Sequence, residues 1–294
     1  MHGQGSFFKK PTDSTTAHWS ISLQASSAQK NRLPSNRDEL QTLQYPIFSG
    51  FPELFHATFT RHGGQSNPPY KSLNISPNVG DTNEDVTANL ALLKSVTRAK
   101  HLLYTRQVHG RDVLVAGLGN TFEKEKTAEG DAIITNIPGM AIMVMQADCQ
   151  GVILYDPEKK VVATVHCGWR GQVQNILFHV VTKMQSLFGT KTDILRAAIG
   201  PSLGPCCAEF KGHRKLFPTH FREFMTEENH FNLWAISVRQ LQISGLKKKH
   251  IGVAGICTRC ATDHFFSYRG EGRTGRFGTV AMLKPSDMDV ISLD

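Results

Sequence analysis

The sequence predicts an α+β fold, a single layered domain of mixed β-sheets flanked by helices, and two observations lead to it. Short apolar runs bounded by Gly, Pro, Asp and Asn recur through residues 46–284, the pattern of strands punctuated by turns. Several of these strands follow one another directly through turns, and regular strand-helix-strand units are few, which disfavours a doubly wound parallel sheet.

The chain in order supports this. Residues 1–44 are rich in Ser, Thr, Gln, Asn and Lys without sustained periodicity, and read as a flexible extension in which residues 38–43 form at most a short helical turn. The domain then runs over 45–294, with no linker and no internal repeat. Residues 51–59 are an entry strand leading to Thr60-Arg61-His62-Gly63-Gly64, a loop whose glycines permit positive φ and bring backbone amides towards a ligand. Residues 85–96 place Val86, Leu90, Leu93 and Val96 at helical spacing. Residues 102–115 form a strand interrupted at Gly110, directly after His109. Strands follow at 129–135 and 140–145, then at 151–155 and 161–165 around the turn Asp156-Pro157-Glu158-Lys159-Lys160. An amphipathic helix spans 175–188, with Ile176, Val180, Met184 and Leu187 on one face. Residues 193–199 are a strand ending in a loop stiffened by Gly200, Pro201, Gly204 and Pro205. Residues 217–224 fit no single element. A helix at 234–243, a strand at 251–256, a Gly- and Arg-rich loop at 270–278 and a closing strand at 279–283 complete the order.

Composition bounds the function. The 294 residues are 40% apolar and 20% charged, a globular balance large enough for a sizeable core. The net charge of +8 and isoelectric point near 9.2 permit an anionic ligand or weak nucleic-acid attraction, but they are more often those of an ordinary solvated surface. Nucleic acid is not expected, because the dense run Lys247-Lys248-Lys249 has no interleaved aromatic rings on which bases would stack. No secretory signal or membrane-length apolar segment is visible. Six cysteines, at 149, 167, 206, 207, 257 and 260, are too few and too clustered for a secreted disulfide scaffold. A reducing, cytoplasmic setting is expected.

Three chemically costly residues stand at strand ends: His109, Cys149 and His166. Two imidazoles and a thiolate leave a fourth position open on zinc, the arrangement of a catalytic centre. The same residues also fit a cysteine nucleophile with a histidine base, or a buried thiol packed beside satisfied histidines. Arg61, Arg170 and Arg269 each stand within two residues of a glycine and suit phosphate through the guanidinium fork. Trp169 offers a stacking face or a core ring. Cys206-Cys207 reads as packing, and the lone Cys257-Thr258-Arg259-Cys260 lacks the second pair that closes a zinc site.

The strings TRHGGQS, SLNIS, RQVHG, GDAIIT, ADC, HCGWRG, GPSLGPCCAEF, FFSYRG and TGRFG occur in this order over residues 60–278. With this set the chain resembles the laccase-domain family, also called YfiH-like or polyphenol oxidase-like, over about residues 48–284. The resemblance implies a compact α+β domain similar in shape to cysteine hydrolase-like toxins. It implies zinc on His109, Cys149 and His166, which are then also the catalytic residues. It further implies phosphorolysis of adenosine, inosine, guanosine and methylthioadenosine, with deamination of adenosine. Copper is the alternative metal, through the family's older label of polyphenol oxidase, and peptidoglycan editing is a further association. On this reading Arg61 and Arg170 hold phosphate or ribose with Arg269 assisting, Trp169 lines the rim, and Asp148 and Glu209 orient groups from behind. Purine nucleosides and phosphate are then the partners, without nucleic acid or membrane. The chain departs from the family pattern at Cys167, where alanine is usual, at Gln150-Gly151, and at Gly270, where a second arginine is usual.

Overall fold

A computed structural model describes residues 21–23, 39–117 and 128–285. The strands are β1 (Ile21–Leu23), β2 (Gln41–Leu43), β3 (Leu54–Phe59), β4 (His101–Leu103), β5 (Val113–Ala116), β6 (Ala132–Thr135), β7 (Met140–Gln146), β8 (Gln150–Asp156), β9 (Val161–Cys167), β10 (Arg196–Ile199), β11 (Met225–Glu227), β12 (His230–Phe231), β13 (Ile251–Val253) and β14 (Phe277–Leu283). The helices are α1 (Asn83–Thr97), α2 (Trp169–Val173), α3 (Ile176–Phe188), α4 (His213–Leu216), α5 (Leu233–Ile243) and α6 (Tyr268–Glu271).

Two six-stranded mixed sheets carry the domain, ordered β1-β2-β3-β14-β7-β4 and β13-β10-β8-β9-β6-β5. They stack face to face, and helices cover both outer faces. Leu54, Ile142, Ala281 and Leu283 of the first sheet meet Ile133, Ile153, Tyr155, Val162 and Ala198 of the second in the central layer. The alternate residues Ala57, Phe59, Met143, Val280 and Met282 turn outward against Leu90, Leu93 and Val96 of α1. On the far side Val152, Leu154, Val161, Ala163 and Val165 pack on Ile176, Leu177, Val180 and Met184 of α3 and Leu241 of α5. This layering is why β7, β8, β9 and β14 are buried at every position although their pairings are largely antiparallel. Both faces of each strand need apolar side chains, which the run Met140-Ala141-Ile142-Met143-Val144-Met145 supplies.

Helix ends follow local chemistry. The Thr82 hydroxyl accepts from the Asp85 amide at 3.2 Å, with Glu84 and Asp85 in the first turn of α1. Asn232 caps α5 in the same way through the Ala235 amide, at 3.0 Å.

The structure revises three expectations. Residues 41–43 form a strand and not a helical turn: Thr42 and Leu43 pair with Phe59 and Thr58 of β3, and Leu40 and Leu43 are buried. The packed unit therefore includes chain on both sides of the boundary expected at residue 44; the rest of the proposed extension, apart from 21–23 and 39–44, lies outside the described residues. The interrupted strand at 102–115 is two strands in different sheets, since β4 pairs with β7 and β5 with β6. Residues 219–224, in the stretch that fitted no single element, are a 3-10 helix. Among the described residues no helix is long and apolar enough to cross a membrane.

The Gly63-Gly64 loop has its glycine at φ 87° as expected, but its amides are used internally. The Gly64 amide donates to the Ser72 hydroxyl and the Gln65 amide to the Asn89 side chain, at 3.2 and 3.0 Å. Asn89, buried on α1, also donates to the Ser66 hydroxyl and to the carbonyls of Ser72 and Asn74. Replacing it with the isosteric but apolar leucine orphans several buried groups at once. Asn89→Leu is expected to lower unfolding free energy by about 2–4 kcal/mol, read by denaturant titration, and to expose the Gln65 amide to hydrogen exchange.

Candidate metal centre

His109 and Cys149 lie where the chain crosses between the sheets: residues 104–112 run from β4 to β5, and residues 147–149 from β7 to β8. His166 stands at the matching end of β9. Both crossings turn through left-handed backbone, at His109 with φ 58° and at Asp148 with φ 83°. The first crossing is anchored by Gln107, whose side-chain amide pairs with β7 as a strand would. It donates to the Met145 carbonyl and accepts from the Met145 amide, both at 2.7 Å.

Asp131, fully buried just before β6, organises the centre. Its carboxylate accepts three successive backbone amides, from Val108, His109 and Gly110, at 3.2, 3.0 and 2.7 Å. It also meets His166 Nδ1 at 2.8 Å, while the Asp131 carbonyl accepts the His166 amide at 2.7 Å. With Nδ1 engaged, Nε2 of His166 is left for a ligand.

The donor atoms of His109, Cys149 and His166 all lie within 4.8 Å of one another. His109 Nε2 is 3.9 Å from Cys149 Sγ, and the two imidazole rings meet edge to face at 4.9 Å. Gly168 makes room for the cluster. A Cβ there would fall 2.7 Å from Cys149 Sγ and 3.4 Å from His109 Cδ2, so a side chain would fill the space between the donors. Burial alone would raise the Cys149 thiol, but the charge of His166 and hydrogen bonds from both histidines outweigh it and bring it to about 6. Burial opposes protonation of His166, yet the Cys149 thiolate and Asp131 carry it up to about 9. Both shifts run in the direction of a thiolate-imidazolium pair backed by a buried carboxylate when no metal is bound.

The donor set fits a divalent zinc ion. Two imidazoles and one thiolate converge, the second histidine is oriented by a carboxylate, and His109 faces solvent so that a fourth position stays accessible.

The remaining expected site residues divide by what they touch. Arg170 is exposed, and among the described residues its guanidinium has no hydrogen-bond or ion-pair partner; it lies over the Trp169 ring at 4.4 Å. Trp169 packs its ring edgewise against Phe210 and Phe217, at centroid distances of 6.1 and 5.9 Å. Arg61 is engaged with the Lys71 and Thr262 carbonyls and with Glu271 at 2.8 Å, and it covers the Phe266 ring. Arg269 donates to the Glu209 carbonyl at 2.9 Å and reaches the Cys207 carbonyl. The Glu209 side chain pairs with Lys211. Asp148 directs its carboxylate away from the donors' gap, accepting from Thr258 and Ser267 hydroxyls at 2.7 Å and from the Arg269 amide at 2.5 Å. These contacts make Asp148 a tether that holds the turn before Cys149. Cys167, the departure from the family pattern, is buried beside Ser237 with its thiol raised to about 12, chiefly by burial.

Two groups were not singled out by the sequence alone. Asp131 sits inside GDAIIT, where an acid after glycine at a strand start looks like ordinary turn chemistry. Arg276 lies in TGRFG and bonds the Thr274 and Gly275 carbonyls. Burial lowers its guanidinium, and the negative charges of Cys149 and Asp148 oppose that, which places it in the field of the centre.

The fold and centre together define a layered α+β protein with an open site of two histidines and one cysteine. A family model described as "Multi-copper polyphenol oxidoreductase laccase" matches residues 55–284, and the chain belongs to this family. It is 30% identical over 260 residues to a Bacteroides thetaiotaomicron protein named purine nucleoside phosphorylase, covering 82% of this chain and 96% of that protein. It is 32% identical over 232 residues to the Escherichia coli purine nucleoside phosphorylase YfiH, covering 76% and 91%. Among solved structures, YlmD from Geobacillus stearothermophilus superposes with a TM-score of 0.74 at 28% identity, covering 86% of this chain and 98% of that one. The α+β class expected from the sequence is the one these relatives share.

Metal binding should depend on pH with a sign fixed by the pair. Ligation requires neutral His166 and ionised Cys149. As pH falls below about 9, where His166 gains its proton, affinity is expected to drop about tenfold per unit. Below about 6 the Cys149 thiol competes as well, and the drop steepens to at least about a hundredfold per unit. Competition titration with a chromogenic chelator across pH measures both slopes. Asp131→Asn is expected to weaken zinc affinity by about 10- to 100-fold in the same assay.

Proposed function

We propose that this protein is a zinc-dependent purine nucleoside phosphorylase, acting on adenosine, inosine, guanosine and methylthioadenosine, with adenosine deamination as a second activity. The observation that carries the reading is the open donor set of His109, Cys149 and His166, in a chain whose relatives over three quarters of its length bear the name purine nucleoside phosphorylase. Phosphorolysis replaces the bond from C1′ to the base nitrogen by one to a phosphate oxygen, and the purine leaves with a proton. Deamination replaces the amino group of adenine by an oxygen from water. A zinc ion bound here supplies Lewis acidity to both.

The chain's own groups divide the remaining work. Asp131 fixes the orientation of His166 and the His109 turn, so the donors need not reorganise when substrate arrives. Arg170 receives orthophosphate: it is exposed, two residues beyond Gly168, its guanidinium has no hydrogen-bond or ion-pair partner among the described residues, and the Trp169 face holds it in place. Arg61, Arg269, Asp148 and Glu209 act as positioning residues, holding the loops that wall the site. Arg276 offsets negative charge behind Cys149.

One observation favours a second reading. Asp131, His166 and Cys149 form a carboxylate-imidazole-thiolate series suited to a metal-independent cysteine hydrolase. His109 separates the two, because that series does not need it. A copper oxidase of the multicopper type has less support. Such chemistry draws on many imidazoles, and the described residues gather two, in the centre already described.

Purified protein with quantified metal should release free base and ribose 1-phosphate from inosine only when phosphate is present. His109→Ala should abolish this, whereas retained turnover in a metal-stripped His109→Ala sample would establish the cysteine reading instead. Arg170→Ala is expected to raise the KM for phosphate about 10- to 100-fold with zinc content unchanged, the loss of one charge-assisted contact.

A further inference from the structure

We infer that Cys206, Cys207, Cys257 and Cys260 hold a second zinc ion, separate from the His109-Cys149-His166 centre, that fastens the loop after β10 to the loop after β13. The four sulfurs all lie within 4.8 Å of one another. Cys260 Sγ is 3.6 Å from Cys206 Sγ and 3.5 Å from Cys207 Sγ. Four thiolates at about 2.3 Å around a tetrahedral zinc are about 3.8 Å apart along each edge, so the sulfurs already stand close to ligating separations. A closed all-sulfur set leaves no open position, which marks a structural and not a catalytic ion.

Neither pair closes a site by itself. Cys206-Cys207 follows the rigid Gly200–Pro205 stretch, and Cys257 and Cys260 are the lone pair in the turn that follows β13. The fold unites them because β10 and β13 are parallel neighbours whose ends run on side by side. Ser202 bridges to the other loop, its amide donating to the Ile256 carbonyl and its carbonyl accepting the Thr258 amide, both at 3.1 Å. Gly204 permits the approach, since a Cβ there would fall 2.9 Å from both Cys257 Cβ and the Trp234 ring.

The consequence reaches the first centre. Both loops hold Asp148, the residue before Cys149: the Leu203 amide donates to its carbonyl at 2.8 Å, and the Thr258 hydroxyl to its carboxylate at 2.7 Å. An ion across Cys206, Cys207, Cys257 and Cys260 therefore braces the turn that presents Cys149.

The test uses the exposure of Cys206 and Cys260. The full chain, purified without added metal, is treated with iodoacetamide with and without a strong chelator, and modified peptides are quantified by mass spectrometry. Zinc ligation predicts that Cys206 and Cys260 resist alkylation until the chelator is present. In a His109→Ala/Cys149→Ser background, elemental analysis should still find about one zinc per chain, and adding Cys206→Ser/Cys260→Ser should remove it. Prompt alkylation of Cys206 and Cys260 without chelator would overturn the inference, independently of whether any variant folds. Iron in place of zinc, disulfide-linked peptides among the four, or unchanged zinc after Cys206→Ser/Cys260→Ser would do the same.

Discussion

The interaction on which the site depends is the buried carboxylate of Asp131. A lone carboxylate in a protein interior is strongly unfavourable, and it is tolerated only when donors replace its water. Here three consecutive amides and one imidazole do so. Each donor belongs to a segment that must be placed: the amides come from the turn carrying His109, and the imidazole is His166 itself. Satisfying one charge thus fixes a left-handed turn, a histidine tautomer and the spacing between two metal-binding side chains. Removing the carboxylate would release all three constraints together.

The sheets decide where such a turn can exist. Within β7, β8, β9 and β14 every position is buried, and of the three metal-binding side chains only His166, next to the end of β9, is borne on a strand. The other two stand where the chain leaves one sheet and enters the other. Residues 104–112, 147–149 and 254–276 are all such passages, and they contribute His109, Cys149, and the Thr258, Ser267 and Arg269 tethers on Asp148. Irregular backbone at a sheet edge supplies both the positive φ values and the unpaired amides that a polar centre uses.

Much of this was legible in the sequence. Long apolar runs mark the central strands because they are buried on both sides, and the helices 85–96, 175–188 and 234–243 declare themselves by apolar spacing. His109, Cys149 and His166 stand out as costly residues at strand ends, and the structure brings the three together. What is not legible is long-range pairing. Cys206-Cys207 looked like packing and Cys257-Cys260 an incomplete pair, because nothing local reveals that β10 and β13 are neighbours. Arg61 and Arg269 looked available for anions, yet their carbonyl and carboxylate partners lie as far as 210 residues away in sequence. Residues 38–43 mislead for the same reason: the three-residue strand β2 owes its form to its pairing with β1 and β3 and not to its own propensity.

The position of β14 has a consequence for how the protein is made. This last strand of the described chain lies in the interior of its sheet, between β3 and β7, with Thr279 opposite Thr58 and Val144. During synthesis, β3 and β7 emerge long before the strand that separates them, and each presents an open apolar edge until residues 277–283 leave the ribosome. Loop closure over more than two hundred residues must precede completion of the sheet. A chain ending before Phe277 retains every metal-binding side chain but lacks the strand that joins β3 to β7 in the first sheet.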